Sequence, residues 1–277
     1  MYKKLLADIK HLKKTVPSFS VGKSVCGQDI ICFKLGGGNP KIIIQCAIHA
    51  REHITSFMGL KAISFLSNFK FTGTIYYIPC ANPDGVRLAL DGLKSTPKKY
   101  HNKLLKINKS NNFLLYKANI SGVDLNVNFD AKWAFGKQNI GKPAPSNYVG
   151  QNPNSESETK ALIALTKKIK PHLTLSYHSK GEEVYYGFNH SQTTKTPKNN
   201  NQKKHLQTIC NLTDYKAVKI KGSSGGYKDW CVYRQNIPAY TIEVGSDMLN
   251  HPLPLDELDS IFEKNKYVPL ALLKLLQ

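Results

Sequence analysis

Residues 42–60 read IIIQCAIHAREHITSFMGL, an apolar run that stops abruptly at His49, Glu52 and His53. The run is short, continuous and rich in isoleucine, which is typical of a strand buried on both faces of a sheet. The residues that follow, 54–69, repeat apolar side chains at helical spacing. A buried strand is therefore expected to end at a cluster of ionisable side chains, just before a helix.

Other parts of the chain repeat this alternation of strand and helix. Strands are predicted over residues 41–48, 73–80, 172–177 and 237–242, and helices over 1–14, 54–69, 155–170 and 258–276. Such alternation predicts the α/β class. No internal repeat and no Pro/Gly/Ser linker divides the chain. We therefore predict a single catalytic domain over residues 20–277, with an N-terminal helix within residues 1–19 packed on it.

The composition excludes wholesale disorder and points to a basic surface. Of the 277 residues, 41% are apolar and 21% are charged, which is ordinary for a globular protein. The formal net charge of +20 suggests an anionic partner. The lysines occur in scattered pairs, however, and no arginine-rich arm or basic repeat with interleaved aromatic residues is present. We therefore predict no nucleic-acid partner.

Cysteine usage and the first residues favour a reduced, cytoplasmic protein. The 6 cysteines contain no C-x-x-C pair, and Cys46 and Cys80 fall in apolar runs where a free thiol packs as a small hydrophobe. Residues 1–14 read as an amphipathic helix and have no apolar core typical of a signal peptide. No run approaches the roughly 18 apolar residues of a membrane span. Association with a cell wall or spore stays open.

Three of the predicted strands end in side chains that bind metals or carry protons. The first leads to His49, the third to His178 and the fourth to Glu243. Functional sites in open α/β sheets collect at the carboxyl ends of strands, so these side chains are expected to share one crevice. Hydrolytic zinc sites take three ligands from His, Asp and Glu. His49 and Glu52 share a face, and His178 is the natural third candidate.

Further motifs place the chain beside a known family. They are HAREH at 49–53, NPDG at 82–85, GVDLNVNFD at 122–130 and YTIEVGS at 240–246, with a histidine at the end of another strand. In order and spacing these motifs resemble those of the zinc carboxypeptidases, over about residues 20–275. The resemblance implies a single-domain α/β sandwich in which helices cover a mixed, roughly eight-stranded sheet.

The resemblance also implies roles for individual residues. It assigns His49, Glu52 and His178 as the ligands of one Zn²⁺ per chain. Asp124 matches a carboxylate that hydrogen-bonds a ligating histidine and fixes its orientation. Glu243 matches the catalytic glutamate, which takes a proton from water and passes it to the leaving amine.

The remaining assignments concern charge and substrate. Arg51 matches a family arginine beside the zinc ligands, where it can meet carbonyl or carboxylate oxygens. Lys117 lies close to the position where digestive members carry the arginine that stabilises the oxyanion. As substrate-binding residues, the resemblance suggests Asn126 together with Lys221 or Tyr227, which lie near the family's mobile tyrosine in the motif KGSSGGYKDW. A lysine at position 117 acts as a point charge, without the bidentate geometry of a guanidinium.

Val127 departs from the family's pattern. Ordinary carboxypeptidases hold the substrate's terminal carboxylate with an Asn-Arg pair, and here the pair is Asn126-Val127.

The motifs HSKGEEVYY (178–186) and GGYKDW (225–230) are similar to those of bacterial γ-D-glutamyl-meso-diaminopimelate peptidases. This branch implies a peptidoglycan stem peptide as the substrate.

The predicted partner is a peptide or muropeptide with several carboxylates, which lysines would meet; they are Lys117, Lys180, Lys221 and Lys228. The polar segment 189–205 is predicted to be a loop near the cleft. The alternatives are a metallocarboxypeptidase with ordinary C-terminal specificity, a zinc amidase or deacylase on the same scaffold, and a basic binding protein with a disused metal site.

Overall fold

The computed structural model describes residues 1–190, 193–195, 201–219, 222 and 224–277. The strands are β1 (Ser18–Lys23), β2 (Asp29–Gly37), β3 (Lys41–Cys46), β4 (Gly73–Ile78), β5 (Leu173–Ser179), β6 (Glu183–Tyr186), β7 (Phe188–His190), β8 (Thr193–Lys195), β9 (Lys216–Val218) and β10 (Ala239–Val244). The helices are α1 (Tyr2–Leu12), α2 (Ile54–Leu66), α3 (Pro83–Asp91), α4 (His101–Asn108), α5 (Ser157–Ile169), α6 (Gln202–Thr213), α7 (Tyr227–Gln235), α8 (Leu258–Asn265) and α9 (Val268–Leu275).

The main sheet has 8 strands in the order β1-β2-β4-β3-β5-β10-β6-β9. Its centre is parallel, because β3 pairs with β4 and β5 in parallel and β10 pairs with β5 in parallel. Antiparallel pairs flank this centre, namely β1 with β2, β2 with β4, and β6 with β10. The prediction of a mixed, roughly eight-stranded sheet is confirmed.

Helices cover both faces of the sheet. Ile42 and Ile44 of β3 point to a core shared with α1, α2, α8 and α9, whereas Ile43 points to a second core shared with α5 and α7. All three isoleucines are fully buried. Since side chains alternate across a strand, a continuous apolar run is what a sheet covered on both faces requires. The α/β sandwich is therefore the packing that the strand sequences predict.

Two segments differ from the sequence predictions, and one proposed domain boundary falls within a strand. The C-terminal segment forms α8 and α9 in place of one helix, because Pro269 in the first turn of α9 has no N–H to continue the preceding helix. The predicted loop 189–205 contains β8 and the start of α6, while residues 191, 192 and 196–200 lie outside the described residues. The proposed boundary at residues 19 and 20 falls inside β1.

The N-terminal helix shares the main core. Tyr2, Leu5 and Leu12 of α1 are buried in the main hydrophobic core. Among the described residues, no helix is both long and apolar enough to cross a membrane. The cytoplasmic location and the lack of a nucleic-acid partner stay predictions.

Candidate active site

The carboxyl ends of three parallel strands meet at one edge of the sheet. β3 ends at Cys46, and Ala47 turns the chain with a φ of 48° so that His49 follows at the edge. β5 carries His178, and Glu243 of β10 stands directly beside it in register. Glu52 ends a short 3-10 helix that begins at Ala50. The crevice predicted from the strand ends is therefore present.

His49, Glu52 and His178 form a group whose ligand atoms all lie within 4.8 Å of one another. Glu52 Oε1 lies 2.8 Å from His49 Nδ1, and Glu52 Oε2 lies 3.0 Å from His178 Nδ1. All three side chains are almost fully buried.

The donor atoms fit a divalent metal ion. The two Nδ1 atoms face each other at 3.0 Å, and a carboxylate faces both of them. Two imidazole lone pairs directed at one point repel each other unless a cation or proton lies between them. A His/Glu/His set is also the ligand chemistry that catalytic zinc uses. These residues are the ones that would hold the metal.

The electrostatics of Glu52 favour its ionised form. Burial raises the pKa of this carboxyl, but His49 and His178 act more strongly in the opposite direction and hold the pKa well below its usual range. An ionised carboxylate between two imidazoles is the state in which all three side chains can bind a cation.

Asp124 supports His49 from the side opposite to Glu52. Its Oδ1 lies 3.2 Å from His49 Nε2, and its Oδ2 lies 3.5 Å from the ammonium of Lys117. Oδ2 also accepts a hydrogen bond from the backbone N–H of Asn147. Burial opposes ionisation of Asp124, yet Lys117 and His49 hold the pKa of this carboxyl far below its ordinary value. Asp124 is thus placed to orient His49, as proposed from the sequence.

Glu243 has the electrostatics of a group that exchanges protons near neutral pH. Burial is the main cause that raises the pKa of Glu243 to about 7, while His178 and Lys117 oppose the rise and Glu52 adds to it. The side chain keeps partial exposure and lines the cavity in front of the histidines. A general base works best when its pKa lies near the working pH.

The cavity in front of these residues has a volume of about 540 Å³ and a polar lining. His49, His178, Glu243 and Lys117 line it, together with Asn126 and Val127. The backbone carbonyl of Val127 lies so close to Gly225 that a Cβ at Gly225 would come within 2.5 Å of it, so the close approach of the two segments requires glycine. Val127 presents an apolar side chain where the resemblance places an arginine.

Tyr227 does not reach the cavity, and its proposed role in substrate binding has to be corrected. The side chain is fully buried in the core, its ring packs against Phe129, and its hydroxyl is 2.7 Å from that of Thr166. Tyr227 opens α7, and this helical position turns it towards α5 rather than the cleft. Lys221, which was also proposed to bind substrate, lies outside the described residues.

Two further cations lie apart from the cavity lining. Arg51 follows His49 in the short helix, and its Nε is buried without a hydrogen-bond partner in the described part of the chain. Lys180 forms an ion pair with Asp247 at 2.8 Å. Of the lysines expected to surround the site, only Lys117 and Lys228 line the cavity as far as the structure describes it.

Several cavity residues were not singled out from the sequence for their place in the site. Tyr185 lines the cavity and donates a hydrogen bond of 2.6 Å to Glu183. Lys137 lines the cavity from a loop without regular structure. Asp229 also lines the cavity, where it forms a buried ion pair with Lys228, one of the lysines predicted to surround the site. The burial of two adjacent charges could be anticipated only from the helix position that α7 gives them.

Comparison with known proteins identifies relatives over almost the whole chain. Gamma-D-glutamyl-L-diamino acid endopeptidase 1 of Lysinibacillus sphaericus is 30% identical over 290 residues, which cover 98% of this chain and 71% of that protein. Carboxypeptidase A2 of Rattus norvegicus is 29% identical, with 73% of this chain and 50% of that protein covered.

Solved structures show the same fold. Bovine thrombin-activatable fibrinolysis inhibitor, in complex with tick carboxypeptidase inhibitor, superposes with a TM-score of 0.76 at 18% identity and covers 99% of this chain and 94% of that one. The murein-tripeptide amidase MpaA of Escherichia coli O157 superposes with a TM-score of 0.60 at 22% identity, and the coverage is 96% and 95%. The model of the zinc carboxypeptidase family matches residues 3–267, and the chain therefore belongs to that family.

Proposed function

We propose that this protein is a zinc-dependent metallopeptidase that hydrolyses peptide bonds of peptidoglycan stem peptides, of the γ-D-glutamyl-diaminopimelate type. The observation that carries the proposal is the convergence of His49, Glu52 and His178 beside Glu243 at the wall of one polar cavity. The relative named for action on a γ-D-glutamyl-L-diamino acid linkage matches nearly the whole chain and supports the same substrate class.

One zinc ion per chain, held by His49, Glu52 and His178, would polarise the scissile carbonyl and lower the pKa of water when bound. Glu243 takes a proton onto its carboxylate and delivers it to the leaving amine. A pKa of about 7 allows both transfers, because the two protonation states are then close in free energy at neutral pH. Asp124 holds the ring of His49 at Nε2 and keeps Nδ1 free to face the other ligands.

Lys117 supplies positive charge beside the reacting carbonyl. The Lys117 side chain is 20% exposed and lines the cavity, and its ammonium lies 3.5 Å from Asp124 Oδ2. A fixed cation stabilises the oxyanion that develops when a carbonyl is attacked. Arg51 does not line the cavity. Its proposed role is to supply positive charge to the site from farther away than Lys117.

The cavity fits a substrate with several carboxylates better than a peptide held only by its terminal carboxylate. Val127 offers the carboxylate no hydrogen bond, whereas Asn126 and the cations Lys117, Lys137 and Lys228 line the same cavity. A carboxylate that enters a desolvated site needs a charge-assisted partner. Stem peptides carry carboxylates on D-glutamate and on the diamino acid, so Lys117 and Lys137 can meet separate groups, whereas Lys228 is already paired with Asp229.

Metal removal tests the proposal. The protein is dialysed against a chelator, its zinc content is measured, and hydrolysis of a defined L-Ala-γ-D-Glu-meso-diaminopimelate peptide is followed by mass spectrometry. We expect one zinc per chain before dialysis, loss of hydrolysis after it, and recovery when zinc returns. Hydrolysis that survives complete removal of metal would contradict the proposal.

A further inference from the structure

Asn119 lies between two parts of the active site, at the start of a tight turn. Lys117 precedes it and Asp124 follows it, and both of these residues contact each other across the turn at 3.5 Å. Asn119 is fully buried, does not line the cavity, and has no chemistry of its own to offer the reaction.

Asn119 closes this turn with its backbone and its side chain together. Its N–H donates to the carbonyl of Val123, and its own carbonyl accepts from the N–H of Gly122. Its side-chain oxygen accepts hydrogen bonds from the N–H groups of Ser121 and Val123, at 3.0 and 3.1 Å. Asn119 thus donates one and accepts three of the hydrogen bonds that set the path of the chain leading into Asp124.

The side-chain nitrogen of Asn119 ties the turn to the N-terminus of α5. Nδ2 donates to Glu156 Oε2 at 2.8 Å and makes a longer contact with Glu158 Oε2 at 3.4 Å. Glu158 is fully buried, and its other oxygen accepts from the N–H of Val25. The turn is therefore anchored to a separate element of the fold, at a point away from the cavity.

The turn connects directly to the ligand histidine. Asp124 Oδ1 contacts His49 Nε2 at 3.2 Å on one side. On the other side, the carbonyl of Lys117 accepts a hydrogen bond from the N–H of Ala50, the residue after His49. A displacement of the turn would move the partner of His49 and the ammonium of Lys117 at the same time.

We propose that Asn119 is a positioning residue, which holds Asp124 and Lys117 in place for His49 through the hydrogen bonds that its side-chain amide donates to Glu156 and Glu158. The proposal rests on the metal site proposed above. It assigns a role in metal affinity to an amide that touches neither metal ligand nor substrate. Groups that orient ligating histidines typically contribute about 10-fold to 100-fold to metal affinity or activity.

Asn119→Asp tests the proposal, because it keeps the acceptor oxygen of the turn but replaces the donor with a charge that faces two carboxylates. Asn68→Asp is the matched control, since Asn68 is exposed at the end of α2. Zinc affinity is measured by competition with a chromogenic chelator, independently of any substrate. We expect Asn119→Asp to weaken zinc binding and to lower kcat about 10-fold or more, while the control stays unchanged.

Rescue separates positioning from a general loss of stability. In Asn119→Asp combined with Glu156→Gln, the donor and acceptor exchange places across the 2.8 Å contact. We expect this double variant to regain most of the zinc affinity and kcat, whereas Glu156→Gln alone keeps both.

Glu156→Ala gives the same test at a half-buried position if the Asp variants fail to fold. It removes the shorter of the two hydrogen bonds that the Asn119 side-chain amide donates to glutamates, and we expect zinc affinity to fall. Wild-type zinc affinity and kcat in a folded Asn119→Asp or Glu156→Ala variant would overturn the proposal. If the variants lose zinc affinity as predicted but the wild-type protein does not hydrolyse stem peptides, the role of Asn119 stands and the proposed substrate is rejected.

Discussion

In the proposed mechanism, turnover depends most directly on Glu243. Glu243→Gln keeps the shape of the side chain but cannot take up a proton, so we expect kcat to fall roughly 10²-fold to 10⁴-fold. The zinc content is expected to stay at the wild-type level, because Glu243 is not among the proposed ligands. Steady-state kinetics and metal analysis of the same sample measure both quantities.

Glu263→Gln provides the control for this substitution. Glu263 lies on α8, in an exposed ion pair with Lys266. Because Glu263 does not line the cavity, its substitution should leave kcat unchanged. Near-normal turnover in Glu243→Gln would show that another residue accepts the proton.

Residues at strand ends were predictable from the sequence, whereas residues brought in by loops and helix positions were not. His49, His178 and Glu243 each terminate an apolar run, and the sheet necessarily gathers such ends. Lys137 reaches the cavity through an irregular loop, which no periodicity describes. Tyr227 was misplaced because the orientation of α7 depends on its packing against the sheet.

At the scale of an element, the start of α5 contains a pH-dependent contribution to stability. Burial first, and then the neighbouring carboxylates Asp84 and Glu156, raise the pKa of Glu158 to about 7. A carboxyl whose pKa is higher in the folded state stabilises the fold below its unfolded pKa of 4.5, and this stabilisation disappears as the pH rises through about 7.

Glu158→Gln isolates this contribution. We expect the free energy of unfolding of the wild type, relative to this variant, to decrease by up to about 3 kcal/mol between pH 4.5 and pH 8. Urea denaturation of both proteins across this range measures the difference. A difference that is constant with pH, or that increases, would contradict the assignment.

Element boundaries show where sequence patterns reach their limit. The apolar periodicity of residues 258–276 continues across the break between α8 and α9, so the pattern alone predicts one helix. The short strand β9 at the sheet edge is exposed at two of its three residues and has no apolar run to reveal it. Edge strands depend on pairing with a neighbour, here β6, more than on their own composition.

At the scale of the whole molecule, the chain belongs to the zinc carboxypeptidase family, and the lining of its cavity is the part that bears on the proposed substrate preference. The Val127 side chain and the cations that line the cavity favour the proposed substrate over the substrate of a carboxypeptidase with ordinary C-terminal specificity. The site therefore has to be tested by a choice between substrates, since the proposed metal and base would serve either reaction.

The most direct test compares kcat/KM for two peptides with one preparation of the enzyme. One peptide carries a γ-D-glutamyl-meso-diaminopimelate linkage, and the other is a standard N-blocked dipeptide with a free C-terminal α-carboxylate. We predict a ratio of at least ~10² in favour of the γ-linked peptide, because the ordinary substrate leaves its carboxylate without a matched partner. Efficient removal of the C-terminal residue from the standard dipeptide, with little cleavage of the γ-linked peptide, would contradict the account.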